Sequence, residues 1–217
     1  MHKNFEFLIP ALGKGTYEAY FKVRSRQMVN VILVYRTLER FVQYTLTEYF
    51  TFGLFYGMII LFSFNNLLMY FAVRGRQYLY YVLYILCVGL YEMSSDGIAF
   101  QYLWPEHPWF NQYATAVFVC CVSVFALLFT KSLLHVKQKE PRVNKLLDAV
   151  IILRILFFVY CLCFNQNWFI YKFVEIVPLS VAFFSGIWLW RKKYRPARYF
   201  VLAYAFLFLG FVLKVTY

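Results

Sequence analysis

Apolar and polar residues alternate through the first part of the chain. In 3–9, Phe5, Phe7 and Ile9 fall on one side, with Asn4 and Glu6 on the other. In 16–24, Tyr17, Ala19, Phe21 and Val23 oppose Glu18, Lys22 and Arg24. A period of two is the mark of a half-buried strand. Leu12-Gly13-Lys14-Gly15 supplies a turn between these two segments. Positions 28–35, rich in Val and Ile, read as a third strand. Three strands of this length are not stable alone. Residues 1–36 are therefore expected to be the closing strands of a larger β domain.

At Thr37 the period changes. Leu38, Phe41, Val42, Thr45, Leu46 and Tyr49 recur at helical spacing, which predicts an amphipathic connecting helix over 37–51 that runs into the first span. Thr37 is its expected N-cap, and Glu39 stands in the first turn, where the macrodipole favours an acid. From 52 onward the polar face disappears. Six apolar stretches follow, near 52–73, 78–97, 113–133, 146–164, 169–190 and 199–217. About 20 apolar residues span the hydrocarbon core of a bilayer. A spanning segment must satisfy its own backbone, so each stretch is expected to be a helix. The implied fold class is an all-α transmembrane helix bundle with six spans, preceded by a short β remnant.

Composition agrees, and charge adds direction. The chain is 63% hydrophobic with a mean hydropathy of +0.59, against roughly half apolar for a soluble domain. A net charge of +12 would by itself suit nucleic acid. The placement of that charge argues otherwise. Of 22 basic residues, twelve lie in three of the five connections between apolar stretches. These are 74–77 (Arg74, Arg76), 131–145 (Lys131, Lys137, Lys139, Arg142, Lys145) and 191–198 (Arg191, Lys192, Lys193, Arg195, Arg198). The other two, 97–112 and 165–168, hold no Lys or Arg. The bias of short cytoplasmic loops toward Lys and Arg puts the basic connections inside and the N-terminal strands outside. Trp104, Trp109 and Trp168 then fall at the outer boundary, and Trp188 and Trp190 at the inner one, as amphipathic rings prefer.

Catalytic chemistry is thin. Cys87, Cys120, Cys121, Cys161 and Cys163 all lie in apolar stretches, where packing accounts for them without a disulfide or a metal. Phe5-Glu6-Phe7-Leu8-Ile9 is too short for a signal peptide, is interrupted by Glu6, and has no small-residue cleavage site. There is no P-loop, dinucleotide fingerprint, nucleophile elbow or HExxH. His107 and His135 have no catalytic constellation around them. No enzymatic activity, cofactor or metal is expected. The basic loops are of a kind that meets anionic lipid headgroups, although topology alone accounts for them.

The charges that weigh most inside the stretches are Glu92, Asp96, Arg154, Glu175 and Lys214. Charge in a membrane is costly and points to function by default. Asp96 and Lys214 lie near helix ends, where snorkelling suffices. Arg154 is near the midplane of the fourth stretch and needs a partner inside the bundle. Glu175, about 10 Å from the outer edge of the fifth stretch, and Glu92 are the charged candidates by depth. Asn65 and Asn66 are the neutral ones. Either a structural ion pair or a ligand or switch role fits this set.

Several short motifs have a familiar order. Gly53-Leu54-Phe55-Tyr56-Gly57 opens the first span, and Asn66-Leu67-Leu68-Met69-Tyr70 follows in its inner half. Arg74-Gly75-Arg76-Gln77 and Tyr78-Leu79-Tyr80-Tyr81 come next. Gly97 with Gln101-Tyr102-Leu103-Trp104-Pro105 forms the outer loop, and Phe129-Thr130-Lys131 through Pro141-Arg142 the second basic one. This order resembles the bacterial seven-transmembrane receptors with diverse intracellular signalling modules. Gly15-Thr16-Tyr17-Glu18-Ala19-Tyr20-Phe21-Lys22-Val23 is similar to the last strands of the periplasmic β-sandwich that precedes their first helix. Gly75 departs from the pattern, since the family often carries an acid there.

The resemblance implies a sensor core in the bacterial inner membrane, truncated at both ends, with six helices of seven. Its partners would be the bilayer, a small-molecule ligand such as a carbohydrate, a cytoplasmic kinase or cyclase module, and a second copy of the chain. The alternative reading is a small polytopic transporter or a structural subunit of a membrane complex. A transporter predicts internal symmetry and polar residues converging at midplane. No repeat is evident, and Pro178 is the one proline inside a stretch.

Overall fold

Helices occupy all six apolar stretches. The computed structural model describes Phe7, 15–18, 20–22, 33–164 and 172–216, without the side chains of 172, 173, 207, 208 and 211–216. The main helices are α1 (Leu38–Val73), α2 (Arg76–Ser95), α4 (Pro108–Leu133), α6 (Pro141–Cys163), α7 (Ile176–Arg191) and α8 (Arg195–Thr216). Two short ones, α3 (Ile98–Tyr102) and α5 (Val136–Lys139), lie in the connections, and a 3-10 turn, Lys172–Glu175, leads into α7.

Among the described residues, α1, α4 and α6 are long and apolar enough to cross a membrane, and α7 is a shorter apolar helix. No strand occurs among the described residues. The expected β segments lie largely outside them, and the parts that are described, 16–18, 20–22 and 33–35, are not in a sheet. A strand is completed only by a partner backbone, which no local pattern can supply.

The connecting helix expected over 37–51 and the first span are one unbroken helix. Thr37 takes the N-cap position with extended backbone, but its hydroxyl makes no capping bond. Arg74 ends α1 in the left-handed conformation, its N–H donating to the Tyr70 carbonyl at 2.7 Å. The fifth stretch, expected from 169, becomes α-helical only at Ile176. Residues 165–171 lie outside the described residues. Pro178 accounts for the late start of α7. It has no N–H to give, and its ring crowds the carbonyl four residues back, so a regular α-helix does not run straight through 174–178.

Neighbours follow a simple order: α1 packs on α2, α2 on α4, α4 on α6 and α7, and α7 on α8. Helix α4 is the hub. Its buried positions include Ala114, Cys120, Ser123, Ala126 and Thr130, small residues that let other helices approach closely. Two glycines make the closest approaches between helices. A Cβ on Gly89 would lie 3.1 Å from the Ile59 side chain, where α2 meets α1. A Cβ on Gly186 would lie 2.7 Å from the Phe200 ring, where α7 meets α8. The apolar core gathers Leu127, Leu134, Leu147, Leu189, Phe200 and Tyr204 toward the basic-loop end of the bundle. Helix α1 is the opposite case, with Leu54, Ile60, Leu61, Phe64 and Phe71 exposed. In a bilayer such a face is covered by lipid.

Candidate functional site

Three elements converge on Arg154. It is the fourteenth residue of α6, about 20 Å from the start of that helix. Its side chain is buried at 7% exposure, deep between α6, α4 and α7. The guanidinium donates through Nη2 to a carboxylate oxygen of Glu175. The other Glu175 oxygen accepts from the Ser123 hydroxyl of α4, an oxygen that also lies 3.0 Å from the Val119 carbonyl. The Phe157 ring centroid is 5.9 Å from the guanidinium carbon, at the outer limit of a cation–π contact. Arg154 Nε is buried and finds no acceptor among the described residues.

Glu175 owes its place to the late start of α7. It occupies the N-cap position, at the positive end of the helix dipole, although its carboxylate makes no capping hydrogen bond. It is 19% exposed. One carboxylate therefore faces a cation, a hydroxyl donor and a helix N-terminus, each on a different element. A change in its charge or position would be felt by α4, α6 and α7 together.

The five candidate residues do not form one network. The guanidinium meets Glu175, while Glu92 lies on α2 beside Tyr56, with Asp96 one turn further on. Asn65 is exposed on α1, and Asn66 donates back to its own helix, Nδ2 to the Phe62 carbonyl at 2.9 Å. The reason is architectural: α1 packs on α2 at the edge of the bundle, with α4 between α2 and α6. Depth along a helix is readable from sequence, but rotation and neighbour order are not. The side chain of Lys214 lies outside the described residues.

Two contributors escape the sequence reading. Ser123 carries no charge, and only its place in a stripe of small residues on α4 hints at an interface. Asp148 falls in the fourth apolar stretch and accepts from Lys131 and, at 3.0 Å, from Asn144 Nδ2. A second tie at that end joins Lys192 to Glu140. At the opposite end, the Tyr49 hydroxyl donates to Gln101 Oε1 at 3.0 Å, fastening α1 to α3. Trp104 sits edge-on to Phe110 with centroids 5.0 Å apart, and its Nε1 donates to Asn111 Oδ1 at 3.4 Å.

A family model described as 7TM diverse intracellular signalling matches residues 48–217. No curated protein and no solved structure matches the chain. The matched region runs from the first-span part of α1 through α8, so it contains the whole Arg154 constellation. The chain belongs to the 7TM diverse intracellular signalling family, and is a multi-pass membrane protein with a receptor-type signalling role.

Proposed function

We propose that this chain is the membrane core of a bacterial inner-membrane receptor. It passes a signal from an extracytoplasmic ligand-binding domain on its N-terminal side to a cytoplasmic output module, a kinase or cyclase. The bundle transmits and does not catalyse. The twelve-to-zero loop asymmetry supports six crossings with the N-terminus outside. A carbohydrate or other small molecule is the ligand class that the family suggests.

The observation that carries this reading is the continuity of α1. Its 36 residues make a rod of about 54 Å, against a hydrocarbon core of about 30 Å. Some 16 residues, about 24 Å, can thus project beyond the hydrocarbon without a break in the helix. Such a rod converts a tilt or rotation outside into one inside. Tyr49 ties it to the outer connection at Gln101, and Gly89 seats it against α2 through Ile59. The Arg154–Glu175–Ser123 constellation, paired here, is the second element that a signal would part. Allostery requires such differential contacts between states.

The test inserts one to four alanines after Thr47 in the receptor carrying its own output module. Each residue rotates the outer segment by about 100° relative to the bundle. Output activity should vary periodically and return near its starting level at the fourth insertion. A level response through the series would end the reading of α1 as the conduit. Alkaline phosphatase fusions at 76, 104, 138 and 193 check orientation. Activity is expected only at 104.

A further inference from the structure

Two neighbouring hollows, about 420 Å³ and about 280 Å³, open between the start of α6 and the end of α7. Glu140 and Lys192 line both, and their ion pair bridges the two helices there. Arg142 lines the first hollow, and Lys139 and Lys193 the second. Four cations thus face one carboxylate, a local excess of three positive charges. Among the described residues neither Arg142 nor Lys193 has an ion-pair partner.

Aromatic rings lie beside two of the cations. Lys192 lies 5.8 Å from the centroid of the Trp188 ring, and Lys139 lies 5.6 Å from that of Tyr194. Trp and Tyr favour the headgroup level of a membrane. Orientation bias asks only that basic residues be present in a loop. It does not ask that residues from two loops, some fifty positions apart, converge on one concave surface. The third basic connection shows the difference, since Arg74 and Arg76 line neither hollow.

We propose that this groove seats the phosphate-bearing headgroup of an anionic phospholipid. Arg142 and Lys193 supply the unpartnered charge, and Trp188 marks the depth. The acyl chains run along the exposed Leu146 and Phe184, each about one turn into the membrane from the groove. The proposal rests on the multi-pass membrane character of the chain and not on the receptor reading, so either can fail without the other.

The experiment uses the full chain in micelles doped with phosphatidylglycerol or phosphatidylcholine, with bound lipid counted by native mass spectrometry. Phosphatidylglycerol should be retained in preference. The double variant Arg142→Gln/Lys193→Gln should weaken its binding about 25-fold, at about fivefold per cation. Arg74→Gln/Arg76→Gln removes the same charge from the other basic connection and should change binding less than about twofold. Glu140→Gln raises the local charge and should tighten binding. Equal losses in the two double variants, or weaker binding in Glu140→Gln, would overturn the groove. Glycerol 1-phosphate is the soluble comparison. If it displaces the lipid at matching concentrations, the site is one for soluble phosphate esters and the lipid assignment falls. Monodisperse elution and unchanged thermal unfolding check that each variant is folded.

Discussion

Removing one side of the Arg154–Glu175 pair should cost more than removing both. Arg154 is 7% exposed and Glu175 19%, so the pair is interior and poorly screened. Breaking a buried pair typically costs about 3–5 kcal/mol, because an uncompensated charge stays behind. The two halves should not be equal. Glu175→Leu leaves a guanidinium whose Nε already finds no acceptor, and should cost about 3–5 kcal/mol. Arg154→Leu leaves a carboxylate that still accepts from the Ser123 hydroxyl and sits at the N-cap position of α7, where it feels the helix dipole without a capping hydrogen bond. A hydrogen bond to a charged group and a helix dipole offset roughly 1–2 kcal/mol of the penalty, bringing it to about 2–3 kcal/mol. The double variant leaves no buried charge and should fall within about 1–2 kcal/mol of the parent. The assay is a double-mutant cycle by reversible unfolding of the purified chain in mixed micelles. The coupling should be about 2 kcal/mol or more. A coupling under about 0.5 kcal/mol would show that the two charges do not depend on each other, and a larger loss for Arg154→Leu would refute the role given to Ser123 and α7.

Gly186→Ala places a methyl 2.7 Å and 2.9 Å from two Phe200 ring carbons, so the ring or the α7–α8 contact must shift. It should destabilise by about 1–3 kcal/mol, and Phe200→Leu in the same chain should recover part of that in thermal unfolding. Tyr49→Phe removes the donor to Gln101 and should cost about 0.5–1.5 kcal/mol. Hydrogen exchange should speed up in α3 and the first turns of α1; unchanged protection there would exclude the tie. Lys131→Gln should shift stability by less than about 1 kcal/mol, since Asp148 is 46% exposed and solvent screens the pair. A loss as large as that of Glu175→Leu would contradict the ranking of these two ion pairs by burial.

The position of Glu175 shows how a local rule and a long-range contact combine. Pro178 delays the start of α7, and the delay sets a carboxylate at the N-terminus of that helix. Only packing then brings α6 and α4 to it. The proline is visible in the sequence, where it reads as an isolated irregularity in an apolar run. Its consequence appears once Arg154 and Ser123 are seen on the helices that α7 packs against. Arg154 itself was legible, because a cation at midplane demands compensation wherever its helix sits. Which acid would answer was open between Glu92 and Glu175, since both satisfy the requirement of depth. Neighbour order decided it: α2 and α6 lie on different sides of α4.

The sequence by itself determined the membrane character, the helical state of the six stretches and the alternation of basic connections with ones that hold no Lys or Arg. These are local properties. A lipid-exposed backbone must bond within its own segment, and a basic loop carries its orientation bias whatever the bundle does. Only the tertiary structure decided that Asn65 and Asn66 lie on a helix that does not pack against α6, and that Glu140 and Lys192 close one end of the α6–α7 seam. Those outcomes depend on the rotation and crossing of helices. Between lipid-facing helices these are set by close fits such as Gly186 against Phe200, where a single methyl group is the difference between contact and clash.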